Sequence, residues 1–517
     1  MKINALEYLR EAAIKYPNKP AIIDGERTIT FQKLNLKSRW LGFIISSQAK
    51  KRNQPIGVFL PKGLEAIVSF MGALYSGNFY VPLDVKSPKT RVNAILSNLN
   101  PSVIVTNHHY KSILLSYGVP EQLIIQVEEI DDEPGNFDQL FGEDITFNNI
   151  DKDPIYTIYT SGSTGIPKGV VISHRGVIDY IDWAKTTFNL DEKTIIGNQA
   201  PFYFDNSTLD IYLSLAAGCT LVIIPEQYFV FPMKLMEYVY EMNINFIFWV
   251  PSILINIANF DILSQIQNGC LTKILFAGEV MPNKQLNYWR EKIPGALYAN
   301  LYGPTEITVD CTYYIVDRDF DDNEPLPIGK PCRNSNIIIL NDDNKEAGIN
   351  EFGELCVRGS SLALGYWNDP EKTDASFIQN PLNSNYQDRI YKTGDLVYLN
   401  EKDEIIYVGR KDTQIKHMGY RIELGEIEIA ALSLDSVFNA CVLYDNEKKE
   451  IVLVFESKNN LSVSDIRRQL VNLVPKYMMP TKIIQLEKLP LNPNGKIDRV
   501  LLKGTCLNKD FHMIKGG

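Results

Sequence analysis

The stretch Tyr159-Thr160-Ser161-Gly162-Ser163-Thr164-Gly165-Ile166-Pro167-Lys168-Gly169 lies between two runs that read as strands. Ile155-Tyr156-Thr157-Ile158-Tyr159 leads into it and Val170-Val171-Ile172-Ser173-His174 leads out. Gly162, Gly165 and Gly169 let the backbone take positive φ and come close to a ligand. Successive N–H groups in such a loop form a concavity that suits anions. Thr160, Ser161, Ser163 and Thr164 add hydroxyls and Lys168 adds a fixed positive charge, so the natural guest is a polyphosphate. The alternative, a flexible linker, fits poorly with a Pro-Lys-Gly ending and strands on both sides. The loop lacks the Gly-Lys-Ser/Thr ending and spacing of a Walker P-loop.

Around the loop the chain alternates strands and helices. Residues 5–16 read as an amphipathic helix, and Ala21–Ile23 with Thr28–Thr30 as a hairpin around Asp24-Gly25. Strands at Ile56–Leu60, Tyr80–Asp84, Val103–Thr106 and Leu123–Ile125, with a helix from Gly63 to Ser76, imply a mostly parallel sheet. Residues 128–151 are acidic, aperiodic and read as a connection. After the loop come helices at 176–188 and 208–217, and strands at 220–224, 246–250 and 273–277. In open α/β sheets ligands collect beyond the carboxyl ends of strands. From Gly329 short strands and turns suggest a β-rich subdomain, and from about Gly425 a last α+β unit follows.

The 517 residues are 45% hydrophobic and 22% charged, enough for several domains. A net charge of −10 argues against broad attraction to nucleic acid or an anionic membrane. Seven scattered cysteines, without a C-x-x-C pair, read as reduced thiols in a cytoplasmic protein. The start lacks a signal-peptide apolar core, and Phe246–Phe260 is too short and too interrupted to span a membrane.

Three further motifs follow the loop in order. Asn300-Leu301-Tyr302-Gly303-Pro304-Thr305-Glu306 offers an aromatic ring for a base, a hydroxyl for phosphate and a carboxylate for Mg²⁺. Tyr391-Lys392-Thr393-Gly394-Asp395 offers a carboxylate that can accept both hydroxyls of a ribose, and Asn494-Gly495-Lys496-Ile497-Asp498-Arg499 places a lysine on a tight turn. With these motifs the chain resembles the adenylate-forming superfamily over nearly its whole length. That superfamily includes acyl-CoA synthetases, nonribosomal peptide synthetase adenylation domains and luciferases. Ile29–Leu34, Gly77–Asp84, Gly409-Arg410-Lys411-Asp412 and Gly419–Glu428 are most like amino-acid adenylation domains, including D-alanine–carrier protein ligases.

The resemblance implies an α/β fold. A large N-terminal domain, residues 1–411, would comprise two α/β subdomains and a β-barrel-like subdomain. A small mobile α+β domain, residues 412–507, would follow, with 508–517 as a tail. It implies that Thr160, Ser161, Gly162, Ser163, Thr164, Gly165 and Lys168 wrap the ATP phosphates. Tyr302 and Tyr407 would stack on adenine, with Asn300 and the backbone of Gly278-Glu279 near it and Gly303 in the same motif. Thr305 would contact the α-phosphate, Glu306 hold Mg²⁺, Asp395 grip the ribose beside Arg410, and Lys496 bridge the substrate carboxylate and the α-phosphate. Thr305, Lys168 and Lys496 are the expected catalytic residues. Asp412 is the expected hinge, and Gly419 would let a pantetheine arm pass.

In the amino-acid branch of the family, an aspartate at the place of Asp205 pairs with the substrate ammonium. Fatty and aryl acids have no ammonium, and an unpaired desolvated carboxylate would be costly. The competing role for Asp205 is to cap the helix from Thr208. Asn206, Leu209, Phe248, Leu275, Ala277, Leu301, Val309 and Asp310 correspond to the side-chain pocket. Leu209, Phe248 and Leu301 would leave room for a small side chain. Asp310 would accept from a hydroxyl, pair with a short amine, or face solvent or a backbone amide. The expected substrate is serine before alanine, and the expected acceptor is a separate carrier protein, since the chain ends soon after Lys496. An acyl- or aryl-CoA ligase of the same fold is the alternative function, and a non-catalytic scaffold is a third.

Overall fold

Runs of β-branched and aromatic residues form strands buried on both faces, as a parallel sheet covered by helices requires. A computed structural model describes residues 2–129, 149–162, 165–266, 269–412, 414–434, 436–457, 462–491 and 497–507. Most of the acidic connection before the loop lies outside these residues. The chain separates into two compact units. The first takes in Met1–Val85, Asn98–Tyr159 and Gly169–Lys411, the second Lys86–Ser97, Thr160–Lys168 and Asp412–Gly517.

The first unit carries three sheets. A nine-stranded sheet runs Lys330–Pro331, Thr312–Ile315, Leu297–Tyr302, Lys273–Ala277, Phe246–Trp249, Ile195–Asn198, Thr220–Ile223, Pro20–Asp24, Arg27–Thr30. Its middle strands are parallel, and the edges turn antiparallel at both ends. A seven-stranded sheet runs Gly365–Tyr366, Lys168–Ser173, Pro154–Thr160, Phe79–Pro82, Pro55–Val58, Val103–Thr106, Ile124–Gln126. A five-stranded antiparallel sheet is built from Ser335–Leu340, Gly353–Gly359, Phe377–Gln379, Arg389–Leu399 and Ile405–Arg410. Two α/β parts and a β-rich part therefore stand as the sequence implied.

One long helix was not foreseen. Phe31–Ala49 follows the first hairpin directly, and Thr30 Oγ1 caps it by accepting from Lys33 N at 3.3 Å. Its serines, lysines and glutamine blur the apolar period, but Phe31, Leu34, Leu41 and Ile45 are buried. It lies tight on the helix Leu64–Tyr75. A Cβ on Gly42 would fall 2.5 Å from Tyr75 Cβ, and one on Gly72 would meet Leu41 at 2.9 Å.

In the second unit Asn439–Asp445, Glu450–Glu456 and Lys482–Leu486 form a three-stranded sheet beside the helices Leu424–Leu432, Val463–Leu470 and Arg499–Cys506. The hairpin Gln414–His417 to Tyr420–Glu423 turns at Met418 and Gly419, with φ of 52° and 81°. Two central residues at positive φ make the turn that matches strand twist, which gives Gly419 a local backbone role. The unit also holds a buried ion pair between Arg91 and Glu426. Among the described residues, no helix is long and apolar enough to cross a membrane.

Candidate functional site

In the five-stranded sheet, register sets Asp395 directly opposite Arg410. Arg410 Nη1 donates to Asp395 Oδ1 at 3.0 Å, Tyr302 OH donates to Oδ2, and Asp395 N donates to Thr393 Oγ1 at 3.0 Å. The carboxylate is buried. Burial, then the neighbouring Asp395 charge, pushes the Tyr302 phenol well above its ordinary pKa, so it stays a donor. A carboxylate offers about four lone-pair positions, so two donors leave capacity for hydroxyls. The Tyr302 and Tyr407 rings lie 6.3 Å apart at 41°. The structure thus brings Tyr302, Asp395, Tyr407 and Arg410 together.

The neighbouring motif residues are each held by their own contacts. Asn300 Nδ2 donates to Pro327 O at 2.8 Å. Glu279 accepts from Ser252 N at 3.1 Å, at the head of the helix Pro251–Asn259. Gly278 has φ 93°. No larger residue fits at Gly303, where a Cβ would lie 2.3 Å from Val309 O. Thr305 and Glu306 are buried in a short 3₁₀ turn, and Tyr366 OH donates to Glu306 Oε1 at 2.9 Å.

The glycine loop belongs to the second unit. Gly165 N donates to Gly162 O at 2.9 Å, with Gly165 at φ 77°. A Cβ on Gly162 would stand 2.2 Å from Ile166 O, so only glycine fits. Thr160 Oγ1 is buried with no partner among the described residues, while Ser161 Oγ donates to Arg421 O at 2.6 Å. Lys168 begins the strand that leaves the loop. Ser163, Thr164 and Lys496 lie outside the described residues. Asp412 Oδ1 accepts from Gln414 N at 3.1 Å, where the second unit's last segment begins.

Strand register also gathers the residues expected to line the side-chain pocket. Phe248 pairs with Leu275, Leu275 with Ala299 and Ala277 with Leu301, so all five share one sheet face. They pack in one core with Leu209 and Val309, whereas Ile247, Trp249, Ile274 and Phe276 pack in a separate core behind the sheet. Asp205 heads the helix Asn206–Ala217, but its side chain makes no capping bond there. The cap role is therefore not realised. Its charge instead acts on two buried phenols, Tyr156 and Tyr180. Asp310 does not face solvent: it is buried, and Tyr180 OH donates to its Oδ2 at 2.6 Å.

The turn before Asp310 is strained. Thr308 and Val309 have φ of 60° and 70°, which costs β-branched residues on the order of 1–3 kcal/mol each. Thr308 Oγ1 donates to Ser361 O at 2.7 Å, Asp310 N to Thr308 O at 3.1 Å and Cys311 N to Tyr302 O at 2.8 Å. One more acid is buried on the Asp205 helix. Asp210 accepts from Asn198 Nδ2 at 2.8 Å, and burial pushes its carboxyl up to about 7.

A model of a known family matches residues 9–367, under the description AMP-binding enzyme. The chain belongs to the AMP-binding enzyme family. It is 30% identical over 500 residues to zwittermicin A synthase ZmaJ from Bacillus cereus, covering 95% of this chain and 93% of that protein. Against several longer relatives at 30–32% identity, it spans only 11–19% of their length. The adenylation domain AlmE of Vibrio cholerae, solved with glycyl-adenosine-5'-phosphate, superposes with TM-score 0.83 at 21% identity, covering 98% of each chain. NpsA-ThdA from Klebsiella oxytoca, an artificially fused adenylation–PCP di-domain, gives TM-score 0.80 at 20% identity, covering 93% of this chain and 94% of that one.

Sequence reading missed Tyr180, Tyr366 and Asp210. Tyr180 sits in a helix, His174–Thr187, whose apolar stripe hides it among core aromatics. Tyr366 lies in a two-residue strand, Gly365–Tyr366, too short to register as a pattern. Both phenols reach carboxylates far along the chain, which no local signal encodes.

Proposed function

We propose that this enzyme joins the AMP of ATP to the carboxylate of a small amino acid, serine before alanine, with release of pyrophosphate, and passes the aminoacyl group to a phosphopantetheine thiol on a carrier protein. The observation that carries the reading is Asp205: a carboxylate at the head of the helix Asn206–Ala217 whose side chain makes no capping bond there. In the amino-acid branch that the chain resembles, an aspartate at this place pairs with the substrate ammonium. Phe248, Leu209 and Leu301 fill the adjoining face and favour a short side chain. The glycyl-adenylate held by AlmE and the adenylation–PCP fusion NpsA-ThdA support this reading. The same chemistry fits a cytoplasmic enzyme.

In the first half-reaction a carboxylate oxygen of the amino acid attacks the α-phosphorus. The bond from that phosphorus to the bridging oxygen breaks, and pyrophosphate leaves. Two anions must meet, so fixed cations offset their repulsion. Lys168 and the glycine-loop amides serve the phosphates, Lys496 serves the reacting oxygens, Thr305 orients the α-phosphate and Asp395 holds the ribose. Glu306 fits a magnesium ion carried with the nucleotide. It is a single buried oxygen donor, and among the described residues no cluster of three or more His, Cys, Asp or Glu could cage a metal instead. Bound there, the ion would offset phosphate charge. In the second half-reaction the thiol sulfur attacks the acyl carbon, AMP leaves, and the thiol proton passes to solvent. Rotation about Asp412 would present Gly419 in place of Lys496.

Amino-acid-dependent ATP–pyrophosphate exchange tests the reading. Strong exchange with serine and alanine is expected. Exchange with phenylalanine or tryptophan, and none with serine or alanine, would contradict it.

A further inference from the structure

Asn198 closes the strand Ile195–Asn198, and Asp210 lies on the helix Asn206–Ala217 that follows it. Both side chains are fully buried. The Asn198 amide spends both of its hydrogens: Nδ2 donates to Asp210 Oδ2 at 2.8 Å and to Ala200 O at 3.3 Å. These two acceptors fix which way the amide points, since turning it over would set Asn198 Oδ1 against both of them. The two remaining oxygens of the pair, Asn198 Oδ1 and Asp210 Oδ1, are buried and accept from no group among the described residues. A buried acceptor without a donor is costly. One proton on Asp210 Oδ1 satisfies both: the carboxyl donates, Asn198 Oδ1 accepts, and acid and amide face each other through two hydrogen bonds. Burial favours this neutral form and pushes the carboxyl up to about 7, against the Asn198 bond and the Lys62 charge, which both favour the carboxylate. Among the described residues Lys62 is the charge that acts on Asp210. Its ammonium is anchored on the same strand end, donating to Asn198 O at 3.1 Å and to Gln199 O at 2.9 Å.

We propose that Asp210 is a positioning residue for the amino-acid site: as a neutral acid paired with the Asn198 amide, it ties the head of the helix Asn206–Ala217 to the strand end and so fixes where Asp205 sits. The effect on substrate rests on the amino-acid reading of Asp205, but the protonation of Asp210 does not. Loss of the proton turns a donor into an acceptor and sets Asp210 Oδ1 against Asn198 Oδ1, so one hydrogen bond gives way to repulsion between like partial charges. The joint between strand and helix is then held by a single bond from Asn198 Nδ2. Asp210→Asn keeps the pair without the titration. A carboxamide there donates to Asn198 Oδ1, accepts from Asn198 Nδ2 and has no proton to lose.

The test compares the wild type with Asp210→Asn across pH, by thermal unfolding and by exchange at saturating ATP with serine, or with alanine if serine drives none. The folded state holds the Asp210 proton to a higher pH than the unfolded chain does. Its stabilisation is therefore fully present below the ordinary carboxylate range and lost as pH rises to about 7. Between about pH 5 and 7 the wild type should lose about 2 °C in Tm relative to Asp210→Asn, and above that the two should run parallel. From about pH 6 to 8 the wild-type KM for the amino acid should rise about five-fold, the size of one lost hydrogen bond, while that of Asp210→Asn stays within about two-fold. If Asp210→Asn does not fold, Lys62→Gln decides. Removing the charge that favours the carboxylate should move both breaks to higher pH, and breaks that stay in place would overturn the inference. Parallel unfolding profiles for the wild type and Asp210→Asn would show that Asp210 holds no proton, as bridging by a water would give, and would overturn it too. A difference in Tm with no difference in KM would overturn the positioning role. Absence of exchange with every amino acid would overturn the amino-acid reading and the positioning role with it, and the unfolding comparison would still decide the protonation.

Discussion

In Asp205→Ala, the KM for the amino acid rises by about thirty-fold or more, while the KM for ATP moves by less than about three-fold. Truncating one partner of a desolvated charge pair costs about 2–5 kcal/mol, and each 1.4 kcal/mol is a factor of ten. The expected effect is large because Asp205 supplies the negative charge of the proposed pair, a charge that also acts on the buried phenols of Tyr156 and Tyr180. The helix it precedes should survive, since Asp205 makes no side-chain cap and its carbonyl, which accepts from Thr208 N at 2.8 Å, is kept in alanine. Exchange rates measured against amino acid at saturating ATP, and against ATP at saturating amino acid, separate the two constants. An unchanged amino-acid KM would show that Asp205 does not meet the substrate.

Lys496→Ala is expected to remove exchange almost entirely yet retain transfer of a preformed aminoacyl-adenylate to the carrier. Adenylation drives a carboxylate onto a phosphate, and losing one cation aimed at that charge costs about 10²–10³ in rate. Thioester formation begins from a neutral acyl carbon and needs no such cation. Exchange and single-turnover loading of the carrier, run on one preparation, compare the halves directly. Parallel loss of both would refute a division of labour about Asp412. Gly419→Leu is a less clean partner for this test. Gly419 has φ 81° in a hairpin turn beside Met418 at 52°, so leucine there strains the turn whatever the role of the site.

What could be read from the chain was what is local. Gly162 and Gly303 sit where a Cβ would collide with backbone oxygen, and a glycine in a motif announces that need. The alternation of Lys273–Ala277 places Leu275 and Ala277 on one face, so pocket positions carried over by resemblance fall together once the strands pair. What could not be read depends on tertiary meeting. Tyr180 and Asp310 are far apart in sequence, as are Tyr366 and Glu306, and each tyrosine looks like core until its hydroxyl is placed. Whether Asp205 caps its helix was equally undecidable. The residue type and position suit a cap, and only the side-chain geometry shows that no cap forms. The helix Phe31–Ala49 escaped because polar residues interrupt its stripe, while two glycine contacts hold it to its neighbour.

On the proposed reading, the carboxylate of Asp205 makes this enzyme an activator of amino acids rather than of simple organic acids. Exchange driven by alanine against exchange driven by propionate tests it most directly, because the two differ only by the amino group. Exchange with alanine, and none above background with propionate at equal concentration, is expected. Equal exchange with both, or exchange with propionate alone, would contradict it.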